Sequence, residues 1–126
     1  MTRVLVVDDE PDVLDSTAQV LAANGFEVET VGQAAQILPA LRRFRPALLL
    51  QDINMPDFDV DRLVPQIRAD PQLRGLRILL FSASESIEES AQRVGADGYV
   101  QKPFDARRIR QVLERALAGP ATAAHP

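Results

Sequence analysis

Cysteine is absent from the 126 residues. Disulfides and thiolate chemistry are therefore excluded, and a cytoplasmic setting is unopposed. Histidine occurs once, at His125 near the C-terminus, so a histidine-based metal site or catalytic dyad is not expected. No apolar stretch approaches the length needed to cross a bilayer, so no membrane partner is expected. Met1-Thr2-Arg3 leads straight into an apolar run, without a signal-peptide pattern. A basic surface is missing as well. The net charge is −4, which argues against direct nucleic-acid binding by this segment. Lysine is scarce: of the 14 Lys and Arg residues only Lys102 is lysine, and so lone a residue invites a specific role.

The chain is long enough for one domain with one core. Its hydrophobic content of 46% and charged content of 25% fit an ordinary folded domain. We read residues 1–118 as that domain. Residues 119–126, which open on Gly119-Pro120 and continue in small residues, read as a flexible tail or truncated linker.

Apolar runs at Val4–Val7, Leu48–Leu50 and Ile78–Phe81 read as strands buried on both faces. Phe26–Val31 alternates and reads as a strand with one wetter side, and Gly98–Gln101 reads as a short fifth strand. Between them lie stripes at helical spacing: Leu14, Thr17, Ala18 and Leu21, then Ala34, Ile37, Leu38 and Leu41, then Leu63, Val64 and Ile67. Pro11 suits a first helical position and Asn24-Gly25 a stop. Pro39 should kink or split the second helix. The third helix is expected to begin near Asp61, and Pro65 predicts that its first turn is irregular or starts late. Ser86 and Glu89 have capping-box spacing ahead of a fourth helix that stops at Gly95. The fifth helix opens at Phe104-Asp105, with Asp105 as cap and Phe104 and Ile109 as a hydrophobic staple. Ile109, Val112, Leu113, Ala116 and Leu117 form its apolar stripe. Five strands each followed by a helix imply an α/β fold, doubly wound around a parallel sheet.

Four strands end on polar residues: Asp8 and Asp9, Asp52, Ser82, and Lys102. In a parallel sheet these ends share one edge, where ligands bind. With the strand order 2-1-3-4-5, which is that of the known flavodoxin-like sheet and is not read from this sequence, strands 1 and 3 are neighbours. Asp8, Asp9 and Asp52 then meet in one cleft. Three carboxylates raise one another's pKa, and a divalent cation resolves the repulsion. Oxygen ligands without Cys or His favour Mg²⁺ or Mn²⁺. Such a cation, held by carboxylates, suits phosphoryl chemistry. Ser82 can bond one phosphoryl oxygen, Lys102 can face another as a mobile point charge, and a carboxylate can accept the phosphoryl group.

Asp8-Asp9, Asp52 after its apolar run, Met55-Pro56, Ser82-Ala83, Gly95-Ala96-Asp97 and Lys102-Pro103-Phe104, in this order, resemble the receiver domain of bacterial two-component response regulators. The resemblance covers about residues 2–118 and implies a (βα)5 flavodoxin-like sandwich. It further implies a phosphoacceptor signalling module of a phosphorelay, a regulatory domain rather than an enzyme, which assists its own phosphorylation and dephosphorylation. Asp52 would take a phosphoryl group from a phosphohistidine on a histidine kinase or histidine phosphotransfer protein. Asp8, Asp9, Asp52 and the Asn54 main-chain carbonyl would hold Mg²⁺, and Ser82 and Lys102 would bind the phosphoryl oxygens. Lys102-Pro103 would be a cis peptide. Ser82 and Tyr99 would be the switch pair, changing partner affinity at the face made by the fourth helix, fifth strand and fifth helix. The downstream partner, whether a separate protein or a fused output domain, is unknown from the sequence, and a phosphorylation-dependent homodimer is compatible with it. Two alternatives stay open: a Mg²⁺-dependent aspartyl-phosphate phosphatase, and a degenerate receiver that binds proteins independently of phosphate.

One stretch departs from the family. Its loop after the acceptor usually reads Met-Pro-Gly-x-Asp-Gly, whereas this chain has Met55-Pro56-Asp57-Phe58-Asp59-Val60. Asp57 tolerates a left-handed backbone; β-branched Val60 resists one. The loop and the start of the third helix are therefore expected to depart from the usual shape.

Overall fold

The computed structural model describes residues 1–118. The expected tail at 119–126, with His125, lies outside the described residues. Strands β1 (Arg3–Val7), β2 (Glu27–Val31), β3 (Leu48–Asp52), β4 (Arg77–Ser82) and β5 (Gly98–Gln101) form one parallel sheet in the order β2-β1-β3-β4-β5. Helices α1 (Pro11–Ala23), α2 (Ile37–Phe44), α3 (Val60–Ala69), α4 (Ile87–Val94) and α5 (Ala106–Ala118) follow the strands in turn.

Central β3 shows why the sheet has its layers. It pairs with β1 on one side and β4 on the other, and all five of its residues are buried. Because successive side chains point to opposite faces, Leu48 and Leu50 pack with Val4, Val6, Leu79 and Phe81 beneath α1 and α5, meeting Leu21, Ile109 and Leu113. Leu49 packs on the other face with Leu5, Val7, Ile78 and Leu80 beneath α2, α3 and α4. Both faces being covered explains the uninterrupted apolar runs.

The prolines act differently from one another. A 3₁₀ turn at Ala34–Gln36 precedes α2, so Pro39 falls in the first turn of the α-helix, where the missing N–H costs no intrahelical bond. This is the expected split. α3, in contrast, is not late. It starts at Val60, Asp59 caps it by accepting from the Asp61 N–H at 2.9 Å, and it runs unbroken through Pro65. Pro65 and Asp61, the residue four before it, are both exposed. The carbonyl that loses its partner can turn to water there, while Val60, Leu63, Val64 and Ile67 hold the buried face. Asp57 adopts φ 54°, and Val60 is not among the positive-φ residues.

The capping box at α4 does not form. Ser86 sits at the N-cap with φ −87° and ψ 11°, outside the extended geometry that aims a cap at the third amide, and makes no side-chain cap bond. Its Oγ instead pairs with Ser84 Oγ at 2.8 Å. Asp105 does cap α5, accepting from the Arg108 N–H at 2.7 Å.

A part-buried ion pair ties the sheet's far end to two helices. Asp97 Oδ2 accepts from the Ile78 N–H at 2.8 Å and from Arg68 Nη2 at 3.2 Å. Arg68 also donates to the carbonyls of Leu76 and Gly95. Asp97→Ala strands a buried amide and removes the carboxylate partner of a mostly buried guanidinium, so we expect it to cost about 3 kcal/mol. Asp97→Asn should cost less because it keeps an acceptor. Urea denaturation of the three proteins measures both differences.

Candidate functional site

The carboxyl edge of the sheet is extended one residue beyond the strands. The Asp8 N–H donates to the Val31 carbonyl at 3.1 Å, and the Lys102 N–H to the Ser82 carbonyl at 2.8 Å. These bonds fix where Asp8 and Lys102 leave the sheet, on either side of Asp52. Asp8, Asp9 and Asp52 each bring a carboxylate oxygen within 4.8 Å of the others. Asp8 and Asp52 are buried and Asp9 is half-buried. The lone lysine reaches into the cluster, with Nζ 2.8 Å from Asp8 Oδ2 and 3.7 Å from Asp52 Oδ1. It also lies 4.5 Å from the centroid of the Phe81 ring, whose face attracts a cation. The Lys102-Pro103 peptide bond is cis.

Burial pushes the Asp52 carboxyl up, and the Asp8 charge pushes it further; Lys102 and the Asn54 N–H oppose them, and the group titrates at about 6. Asp52 is therefore largely ionised at neutral pH yet poorly compensated, the condition in which a cation or an arriving electrophile is welcome. The three-carboxylate donor set, all oxygen and partly buried, fits a hard divalent cation such as Mg²⁺ or Mn²⁺.

Asn54 stands between the acidic cluster and β4. Its main-chain N–H donates to Asp52 Oδ1 at 3.3 Å, and its side-chain Nδ2 donates to Ser82 Oγ at 2.6 Å. Ser82 is fully buried, and its Oγ also accepts from the Ser84 N–H at 3.1 Å. With both lone-pair positions engaged, the hydroxyl hydrogen is left to donate. Tyr99 is half-buried on the face of β5 that packs with the α2-α3-α4 core, paired in register with Leu80. Burial, then the nearby Glu88 charge, raises its phenol above the usual range. A cleft of about 780 Å³ opens beside Asp9, between the start of α2 and the loop Met55–Asp59.

Two neighbours of the site were not assigned roles from the sequence. Phe81 reads as one more core residue of its strand, and nothing local shows that Lys102, 21 positions on, crosses its ring. Gln51 did carry a signal, as a polar residue inside an apolar run, but its partners depend on how the chain turns after Asp52.

Residues 4–114 match the family model described as the response regulator receiver domain. The transcriptional regulatory protein PrrA of Mycobacterium tuberculosis is 38% identical over 119 residues, which is 90% of this chain and 50% of that protein. The DNA-binding response regulator MtrA of Mycolicibacterium smegmatis is 34% identical over 119 residues, 90% of this chain and 51% of that one. The chain thus spans about half the length of the curated relatives it matches. Among solved structures, the chemotaxis response regulator CheY4 of Vibrio cholerae superposes with a TM-score of 0.84 at 29% identity, covering 92% of this chain and 98% of that one. With its strand order, its acidic edge and these similarities, the chain belongs to the receiver-domain family of two-component response regulators.

Proposed function

We propose that Asp52 is the phosphoacceptor of this receiver and that a histidine kinase or histidine phosphotransfer protein is the donor. The observation that carries the reading is the convergence of Asp8, Asp9, Asp52 and Lys102 at one sheet edge. An ionised oxygen of Asp52 attacks the phosphorus, the P–N bond to the donor histidine breaks, and its electron pair leaves on the imidazole. Asp8, Asp9, Asp52 and the Asn54 main-chain carbonyl would hold Mg²⁺ or Mn²⁺, which when bound neutralises charge on the phosphoryl oxygens. Lys102 Nζ, already poised between Asp8 and Asp52, supplies a further positive charge, and the Ser82 hydroxyl supplies a hydrogen bond.

The switch follows from the same contacts. A phosphoryl group on Asp52 adds charge beside Ser82 and Lys102, and drawing Ser82 toward it disturbs the Asn54–Ser82 bond. Tyr99 responds on β5, and the α4-β5-α5 face presents the change to an output domain or a separate protein. Homodimerisation through that face is one form the output can take.

Incubation with acetyl phosphate and Mg²⁺ should add one phosphoryl group by intact mass, and Asp52→Asn should abolish the addition. Rapid multiple turnover of the donor would favour a phosphatase instead, and no labelling a phosphate-independent receiver.

The raised Asp52 pKa also makes a stability statement. Its folded value lies above the ordinary aspartate value of 3.8, so the native state binds the proton more tightly than the unfolded chain does. Stability from this group is full below the unfolded pKa and is lost as pH rises through about 6. Without metal, Asp52→Asn should therefore raise Tm at pH 7.5 and have a much smaller effect at pH 4. Added Mg²⁺ should shrink the gain at pH 7.5, because it stabilises only the carboxylate protein. Thermal denaturation at the two pH values, with and without Mg²⁺, reads the effect.

A further inference from the structure

We infer that Gln51 is a positioning residue for the turn that carries Asn54, an inference that rests on the phosphoryl site proposed above. Gln51 is fully buried in the middle of the sheet. Its side chain points to the face of β3 that also carries Leu49, in the apolar layer beneath α2, α3 and α4. Nε2 donates to the Asp52 main-chain carbonyl at 2.8 Å and lies 3.7 Å from Met55 Sδ. A carbonyl and a thioether can only accept, so the nitrogen must face them, which directs Oε1 the other way. Oε1 is buried and has no hydrogen-bond partner among the described residues.

An unpartnered buried carbonyl destabilises the fold, and leucine would fill a similar volume without it. What leucine cannot do is hold the turn. The carboxamide grips both ends of the four residues Asp52–Met55: the carbonyl where the chain leaves β3, and the side chain of Met55 where it re-enters the core. Between these two anchors lies Asn54. Its amide meets Asp52 Oδ1, its side chain meets Ser82 Oγ, and its main-chain carbonyl is the proposed fourth ligand for the cation. The turn is also held by the Ile53 N–H, which donates to the Phe81 carbonyl at 3.3 Å, and beyond it the backbone passes through left-handed Asp57 into a mostly exposed loop in which Phe58 packs against the core. Gln51 therefore acts from beneath the site, by fixing the direction of the Asn54 carbonyl before the cation arrives.

The test compares the wild-type chain with Gln51→Leu and Gln51→Met, neither of which can donate a hydrogen bond. Three quantities are read: Tm without metal, Mg²⁺ affinity of the metal-free protein by calorimetry, and the Mg²⁺ dependence of labelling by acetyl phosphate. Gln51→Leu should keep or raise Tm, weaken Mg²⁺ binding about tenfold, and raise the half-saturating Mg²⁺ for labelling by the same factor. The labelling rate at saturating Mg²⁺ should be retained. Should leucine fail to fold, the unbranched methionine variant is read in its place. Unchanged Mg²⁺ affinity in a folded variant overturns the inference, and so does a parallel fall in Tm and affinity in both variants, which marks Gln51 as merely structural. A wild-type chain that neither binds Mg²⁺ nor is labelled overturns the site reading itself, and the inference with it.

Discussion

The arrangement of this molecule depends on the ion pair between Lys102 and Asp8, two residues 94 positions apart. Asp8 is fully buried beside a second buried carboxylate and close to a third, a grouping that repels itself and resists leaving water. One ammonium, held over the Phe81 ring, compensates the cluster in part. Burial and the Asp8 charge still hold the Asp52 carboxyl above its usual range despite the ammonium. The domain thus keeps an unbalanced negative charge at one point of its surface and builds the rest of its structure to tolerate it. That imbalance is the physical basis of the proposed uptake of a cation and an electrophilic phosphoryl group there.

Tolerance comes from the sheet. The three central strands, β1, β3 and β4, carry apolar residues on both faces, and their register is set by many buried side chains at once. A slip of one residue would exchange the two faces of a strand. The carboxylates at the strand ends therefore cannot relax apart by sliding, and relief must come from a bound partner or a proton.

The turn after β3 is where stability and function pull in different directions. The buried amide of Gln51, the Asn54 contacts to Asp52 and Ser82, and left-handed Asp57 all lie within seven residues of chain. The unpartnered Gln51 oxygen and the left-handed backbone at Asp57 are costlier than a simpler alternative in a purely structural loop. At the opposite end of the sheet the part-buried charges of Arg68 and Asp97 are paired with each other and engage main-chain groups.

By itself the sequence determined the strands, the helices and the residues at the strand ends, because burial on two faces demands apolar runs and a helix demands its own spacing. Asp105 capped α5 and Asp57 took the left-handed backbone for equally local reasons. Other features were decided only by the tertiary structure. Ser86 has the right neighbour for a capping box, but the loop leaves it at a ψ that aims its hydroxyl at Ser84. Pro65 was harmless because it lies on the exposed side of α3, a matter of which face meets the core. That Lys102 lies nearer Asp8 than Asp52, that Asn54 reaches Ser82, and that the Gln51 amide turns toward Asp52 and Met55 are facts about distances between separate strands and turns. Such distances arise from the packing of the whole sheet, which no short stretch of residues encodes.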